Sequence, residues 1–158
     1  MKISLRKAQL SDSEMILSWR NEPTTIPWMA ATRMLEFDEH HTWFCKSLND
    51  PHCLFFLILS DETPIGQIRY HKNDTEWLDH ASKVSINITH SMHGKGIASI
   101  AFKRGSEMVR ETHFSQNIFA YVRPDNIGSI KAMENAGFIR DKIVTVNNEP
   151  HLIMIDHI

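Results

Sequence analysis

The segment from Lys83 to Ala98 constrains this chain more than any other. Val84, Ile86 and Ile88 alternate with Ser85, Asn87 and Thr89, the two-residue period of a strand with one buried face. Gly94 and Gly96 then break the chain, and a helical period runs from about Ile97 to Glu111. At the start of such a helix the first amide N–H groups have no intrahelical partner, and the helix dipole favours negative charge. Glycine admits close backbone approach because it has no Cβ, and Lys95 adds a cation. The turn is therefore fit to hold a phosphate, although on its own it also reads as an ordinary strand–helix connection. It is neither the dinucleotide fingerprint nor a P-loop, since the later glycine and the Lys-Ser/Thr pair are absent.

The remaining segments fall into place around it. A first strand is expected at about Lys2–Ala8, then a helix capped by Ser11 or Asp12 that carries Met15, Ile16 and Trp19. Pro23 and Pro27 mark a loop to about Arg33, and a second helix at about Asp38–Leu48 aims Trp43, Phe44 and Leu48 at a core. The apolar run Cys53–Leu59 and the segment Ile65–His71 form a hairpin about Asp61–Pro64, and polar Lys72–Ser82 reads as a loop. A fifth strand at Asn117–Arg123 precedes a helix with Asn126 as N-cap and Gly137 as its left-handed end. Strands at Phe138–Val146 and His151–Asp156 close a β-α-α-β-β-β-α-β-α-β-β order, a layered α/β domain spanning residues 1–158.

Composition narrows the function classes. With 158 residues, 42% hydrophobic and 23% charged, the chain suits one ordinary globular domain. No apolar stretch approaches a membrane span, and the N-terminus lacks signal-peptide character, so a cytoplasmic location is expected. A net charge of −2 disfavours a broad basic face for nucleic acid. Cys45 and Cys53 read as reduced thiols. The ten histidines are not set at ligand spacing with other donors, so no metal is expected.

Two motifs together carry a family resemblance. His93-x-x-Gly96-x-Ala98 is followed by Asn126-x-x-Ser129 and a terminal Gly137-Phe138. This pairing resembles the GNAT acetyltransferase superfamily over nearly the whole chain. The resemblance implies the GNAT fold: a mixed, mostly antiparallel seven-stranded sheet with helices on both faces and splayed fourth and fifth strands. It implies acetyl-CoA as co-substrate, with the pyrophosphate on the backbone amides of His93, Gly94, Lys95, Gly96, Ile97 and Ala98. Pantetheine would pair with the fourth strand near Ile88 and pass Asn126 and Ser129, with Lys95, Arg123 and Lys131 near the phosphates.

A closer likeness lies in Leu17-Ser18-Trp19-Arg20-Asn21-Glu22-Pro23, His40-x-x-Trp43-Phe44 and Gly66-Gln67-Ile68-Arg69. These are similar to the branch that acetylates nucleotide-linked amino sugars in the pseudaminic acid pathway. Related patterns occur near ribosomal-protein N-terminal acetyltransferases.

The chemistry this implies is attack of a neutral primary amine on the thioester, with the amide near Ile88 polarising the carbonyl. The family's helix tyrosine is replaced by Met133 and its fourth-strand carboxylate is missing. His71, His90, Glu76 and Asp79 remain as proton-transfer candidates beside a water relay. The acceptor is expected to be a small-molecule amine, taken by a monomer or homodimer. The loop Glu22–Leu35 and the segment Lys72–Ser82, with Arg33, Lys72, Asn73, Glu76 and His80 and with Trp28 and Trp77 nearby, are expected on the acceptor side. A protein N-terminus, an antibiotic amine, or a non-catalytic acyl-CoA sensor are the competing readings.

Overall fold

The computed structural model describes residues 1–73, 75 and 77–157. Seven strands form one sheet in the order β1-β2-β3-β4-β5-β7-β6. They are β1 (Ile3–Lys7), β2 (Cys53–Ser60), β3 (Thr63–Lys72), β4 (Ala81–Ile88), β5 (Asn117–Val122), β6 (Ile139–Val146) and β7 (Glu149–Asp156). The helices are α1 (Ser13–Arg20), α2 (Phe37–Asn49), α3 (Ile97–Glu111) and α4 (Ile127–Asn135). All adjacent strand pairs are antiparallel except β4–β5.

Alternation along the strands sorts side chains to the two faces. Phe56, Ile58, Ile68, Tyr70, Val84, Ile118, Ala120 and Met154 pack with Ala101, Phe102 and Val109 of α3 and Ile130 and Met133 of α4. On the opposite face Phe55, Leu57 and Leu59 pack with Ile16 and Trp19 of α1 and Phe44 of α2. Further along that second face, Ala81, Phe119, Ile153 and Ile155 form a separate cluster with Tyr121 against it.

The one parallel pair is also the shortest ladder for its strand lengths. β4 and β5 register only at Ala81–Asn117, Ser82–Ile118 and Lys83–Phe119. From Val84 and Ala120 onward they part, which opens a V whose apex is at Lys83 and Phe119.

Three expectations from sequence need correction. Lys72 belongs to β3 and Ala81 and Ser82 to β4, so the connection between them is shorter than the polar run implies. Asp12 precedes α1 but makes no cap bond; its carboxylate takes the Arg6 guanidinium at 2.9 and 3.0 Å and the Gln9 amide at 2.7 Å. The last hairpin turns on Asn147 and Asn148, both at positive φ, so Glu149 and Pro150 are already strand.

Candidate active site

The gap between β4 and β5 is lined by backbone as well as side chains. Thr89 N–H donates to the Ile65 carbonyl at 2.8 Å. This makes Gly66–Ile88 a pair whose members do not bond each other, and the same holds at every second pair along the ladder. Val84, Ile86 and Ile88 therefore turn their amide and carbonyl groups away from β3 and toward the gap. Among the described residues β5 pairs with none of these three. The Ile88 carbonyl is met instead by the ring of His93, whose Nε2 donates at 2.7 Å. Beyond the Lys83–Phe119 rung, which takes the Val84 amide, the Val84 carbonyl and the Ile86 groups form a row that keeps strand polarity with no strand to receive it.

At the open end of this row the chain turns into α3. Gly94 and Gly96 both have φ near +75° (75° and 74°), and Gly96 is the residue before the first helical one. Most side chains are disfavoured at such angles, so glycine suits the turn itself. The positions that a Cβ would occupy on either glycine are open. Lys95 stands exposed between them, while Ile97 anchors the helix start in the core. Across the gap, Asn126 caps α4 by accepting the Ser129 amide through Oδ1 at 3.3 Å, which leaves its Nδ2 for another acceptor.

The opposite face of the sheet carries a different chemistry. Paired strand positions share a face, so the rows Phe55–Arg69–Ser85, Leu57–Gln67–Asn87 and Cys53–His71–Lys83 all lie toward α1 and α2. Phe119 and Tyr121 of β5 continue it, their rings 5.4 Å apart. The strand positions named in these rows include no carboxylate. The Arg69 guanidinium lies 4.9 Å over the Trp43 ring, and Trp77 meets Phe119 edge-on at 5.0 Å. Burial lowers the pKa of Lys83, and the nearby Arg69 charge pushes it the same way. Burial likewise lowers His40, with Arg20 and Arg69 adding to the effect. Two buried polar atoms on this side, His40 Nδ1 and Gln67 Oε1, have no hydrogen-bond partner among the described residues.

A loop anchored to the end of β4 roofs this face. Glu22, just after α1, accepts from the Thr89 hydroxyl at 2.7 Å and the His90 amide at 3.1 Å. Arg20 donates to the carbonyls of Ala31 and Arg33, and Asn21 exchanges two hydrogen bonds with Leu35. The Trp19-Arg20-Asn21 motif is thereby accounted for: Trp19 fills the core, and its neighbours shape the loop.

The residues singled out from sequence separate accordingly. The turn His93–Ala98 and the cap Asn126–Ser129 stand on the two sides of the gap. His71 lies beside Lys83 at the apex, with Nε2 3.1 Å from Asp50 Oδ2. His90 stands at the far end of β4, exposed, with its ring 5.3 Å from that of His93. Arg33 is paired with Glu39 at 2.7 Å, and Lys72 lies over Phe114 at 4.8 Å. The strand alternation puts Lys72 on the α3 face, away from the Arg69 row. Glu76 lies outside the described residues. Arg69 stands in the sequence only as the end of the Gly66–Arg69 motif, and Lys83 and Tyr121 carry no role there; strand register alone brings the three to the apex. Among the described residues no three His, Cys, Asp or Glu side chains group as metal ligands, and no helix is long and apolar enough to cross a membrane.

Comparisons with known proteins agree with this architecture. The acetyltransferase (GNAT) domain family matches residues 2–139. A curated relative, acetyltransferase PseH of Campylobacter jejuni subsp. jejuni serotype O:23/36 (strain 81-176), is 26% identical over 125 residues, covering 79% of this chain and 75% of its own. The aminoglycoside acetyltransferase AAC(6')-Ib, solved with coenzyme A, superposes with a TM-score of 0.86 at 19% identity, over 99% of this chain and 95% of that one. Spermidine N-acetyltransferase from Vibrio cholerae, solved with CoA and spermine, gives 0.83 at 17% identity, over 98% and 94%. The parted β4–β5 pair, the glycine turn into α3 and the family match converge: this chain belongs to the GNAT family and is an acetyl-CoA-dependent N-acetyltransferase.

Proposed function

We propose that the acceptor is the primary amine of a nucleotide-linked amino sugar. The observation that carries this reading is the face opposite α3, whose strand rows from β2 to β5 bear aromatic and polar groups and no carboxylate. A polyamine or an aminoglycoside is polycationic and needs acidic partners. A sugar ring needs hydrogen-bonding groups and an aromatic wall against its apolar side, and Trp43, Trp77 and Tyr121 flank the apex. The likeness to PseH and to the amino-sugar branch in the Trp19–Pro23, His40–Phe44 and Gly66–Arg69 segments favours the same class.

In this reading acetyl-CoA rests its pyrophosphate on the His93–Ala98 turn and threads its arm through the gap beside Val84, Ile86 and Ile88, with the Asn126–Ser129 cap on the far side. The amine arrives from the α1–α2 face and attacks the thioester near the apex. An amide among the β4 groups that face the gap stabilises the oxyanion. His71, held by Asp50, takes the amine's proton. His90 is too far along the strand for that task. Tyr121, on the first β5 position of the acceptor face beyond the apex, protonates the departing thiolate. The collapse breaks the C–S bond and leaves an acetamide and CoA.

The experiment compares kcat/KM for a nucleotide-linked 4-amino sugar, a ribosomal-protein N-terminal peptide and spermidine at saturating acetyl-CoA. The sugar is expected to lead by at least tenfold. A preference for the peptide or the polyamine overturns the acceptor class and leaves the acetyltransferase activity intact. Binding of acetyl-CoA with no thiol release on any amine would favour the non-catalytic alternative.

A further inference from the structure

Two cations sit at the apex on the face the acceptor is proposed to use. Lys83 is the last β4 residue still paired with β5. Arg69 is the cross-strand partner of Ser85, the next β4 residue on that face. Adjacent strands lie about 4.8 Å apart, so the two long side chains rise from neighbouring positions on one surface. Neither forms an ion pair among the described residues, where the ion pairs are Arg6–Asp12, Arg33–Glu39, His71–Asp50, Arg110–Asp156 and Arg140–Glu134. Both are partly buried. The Arg69 guanidinium carbon lies 4.9 Å from the centre of the Trp43 ring, a cation–π contact that still leaves its N–H groups able to donate to an oxygen ligand. Two like charges at partial burial repel and are poorly hydrated. The arrangement is costly alone and becomes favourable when an anion bridges it.

We propose that Arg69 and Lys83 together hold an anionic group of the acceptor, a phosphate or a carboxylate, beside the apex of the β4–β5 gap. This rests on the reading that the acceptor enters from the α1–α2 face. It adds that the amine must lie a short, fixed distance from a negative charge in the same molecule. The pair attracts an anionic amine and repels a polyamine, so it sets specificity at the point where the amine is placed. Planar Arg69 offers a two-pronged contact to an oxyanion, and Lys83 offers a point charge.

The test titrates CoA-saturated protein calorimetrically with UDP and, separately, with glucuronate. Saturation with CoA occupies the glycine turn, so neither probe binds there. Expected is binding of UDP that weakens at least tenfold in Arg69→Met and in Lys83→Met and is unchanged in Lys103→Met, a surface charge on α3. Lys83→Met keeps the side-chain length and stands as an independent variant if Arg69→Met proves unstable by thermal melting. Binding of glucuronate alone, with the same sensitivity, supports the anion subsite and removes the nucleotide from the proposed acceptor. Binding of neither probe, or binding indifferent to both substitutions, overturns the subsite. Turnover of a nucleotide-linked amino sugar that is unaffected by either substitution would overturn it while leaving the proposed acceptor in place.

Discussion

The Glu22 carboxylate ties the end of α1 to the end of β4, accepting the Thr89 hydroxyl at 2.7 Å and the His90 amide at 3.1 Å. One side chain thus couples the roof of the proposed acceptor face to the strand that borders the gap. Glu22→Ala should raise the acceptor KM several-fold while changing the acetyl-CoA KM little. It should also lower stability by about 1–3 kcal/mol, the usual range for losing charged hydrogen bonds. Steady-state kinetics with each substrate varied in turn, plus a urea melt, decide this; equal effects on both KM values would contradict it.

Gly96 has φ +74°, so any side chain there strains the turn by roughly 1–2 kcal/mol. Gly96→Val should therefore lose both stability and acetyl-CoA binding. Lys95→Glu separates the two effects, because Lys95 is exposed and touches nothing in the core. It should leave the melting temperature of the unliganded protein unchanged and shrink the rise produced by acetyl-CoA. An undiminished rise would remove the phosphate from this turn.

The apex residues make separable kinetic predictions. His71→Asn should lower kcat at least tenfold with little change in the acetyl-CoA KM. Tyr121→Phe keeps the ring packed on Phe119 and should lower kcat with little change in acceptor KM. Met133→Leu should stay within a few-fold of the parent, because Met133 is buried in the core and conserves volume on substitution.

Asp12 gives a stability prediction with a defined sign. Burial by itself would raise its carboxyl pKa, but the Arg6 hydrogen bonds and the Gln9 amide outweigh burial and hold it below the ordinary value. A depressed folded pKa contributes stability that is present above the unfolded value, about 3.9, and is lost as pH falls through the folded one. Asp12→Asn should therefore be destabilising at pH 7, and parent and variant should converge as the pH is lowered below about 4. A gap between the two melts that is constant with pH would show that the ion pair contributes nothing.

What was legible in the sequence was local. The β4 alternation, the glycine turn, α3 over Ile97–Glu111 and the Asn126 cap depend on periods and turn chemistry within a few residues, and they stand in the structure. Errors arose where a polar residue is satisfied by a distant partner. Ser82 is fully buried because it shares a 2.7 Å hydrogen bond with Ser115, and Lys72 is held over Phe114; neither partner can be read from hydropathy. Asp12 resembled a cap because Arg6, its true partner, sits on a preceding strand. The proposed apex site is less legible still. Arg69, Lys83 and Tyr121 come from three strands, and only the register brings them to one place.

The parted strands also divide the sheet into two leaves, of four and three strands, sharing a spine of three residue pairs and one buried serine–serine bond. Among the sheet's strand pairs this seam has the fewest rungs, while the core packed on α3 spans both leaves. On the proposed reading, a molecule threaded through the gap would supply the rungs that β5 withholds from Ile86 and Ile88. Occupancy should then be felt as mechanical closure: amide exchange along the outer half of β4 slows when acetyl-CoA is present, while exchange in β2, far from the seam, stays as it was.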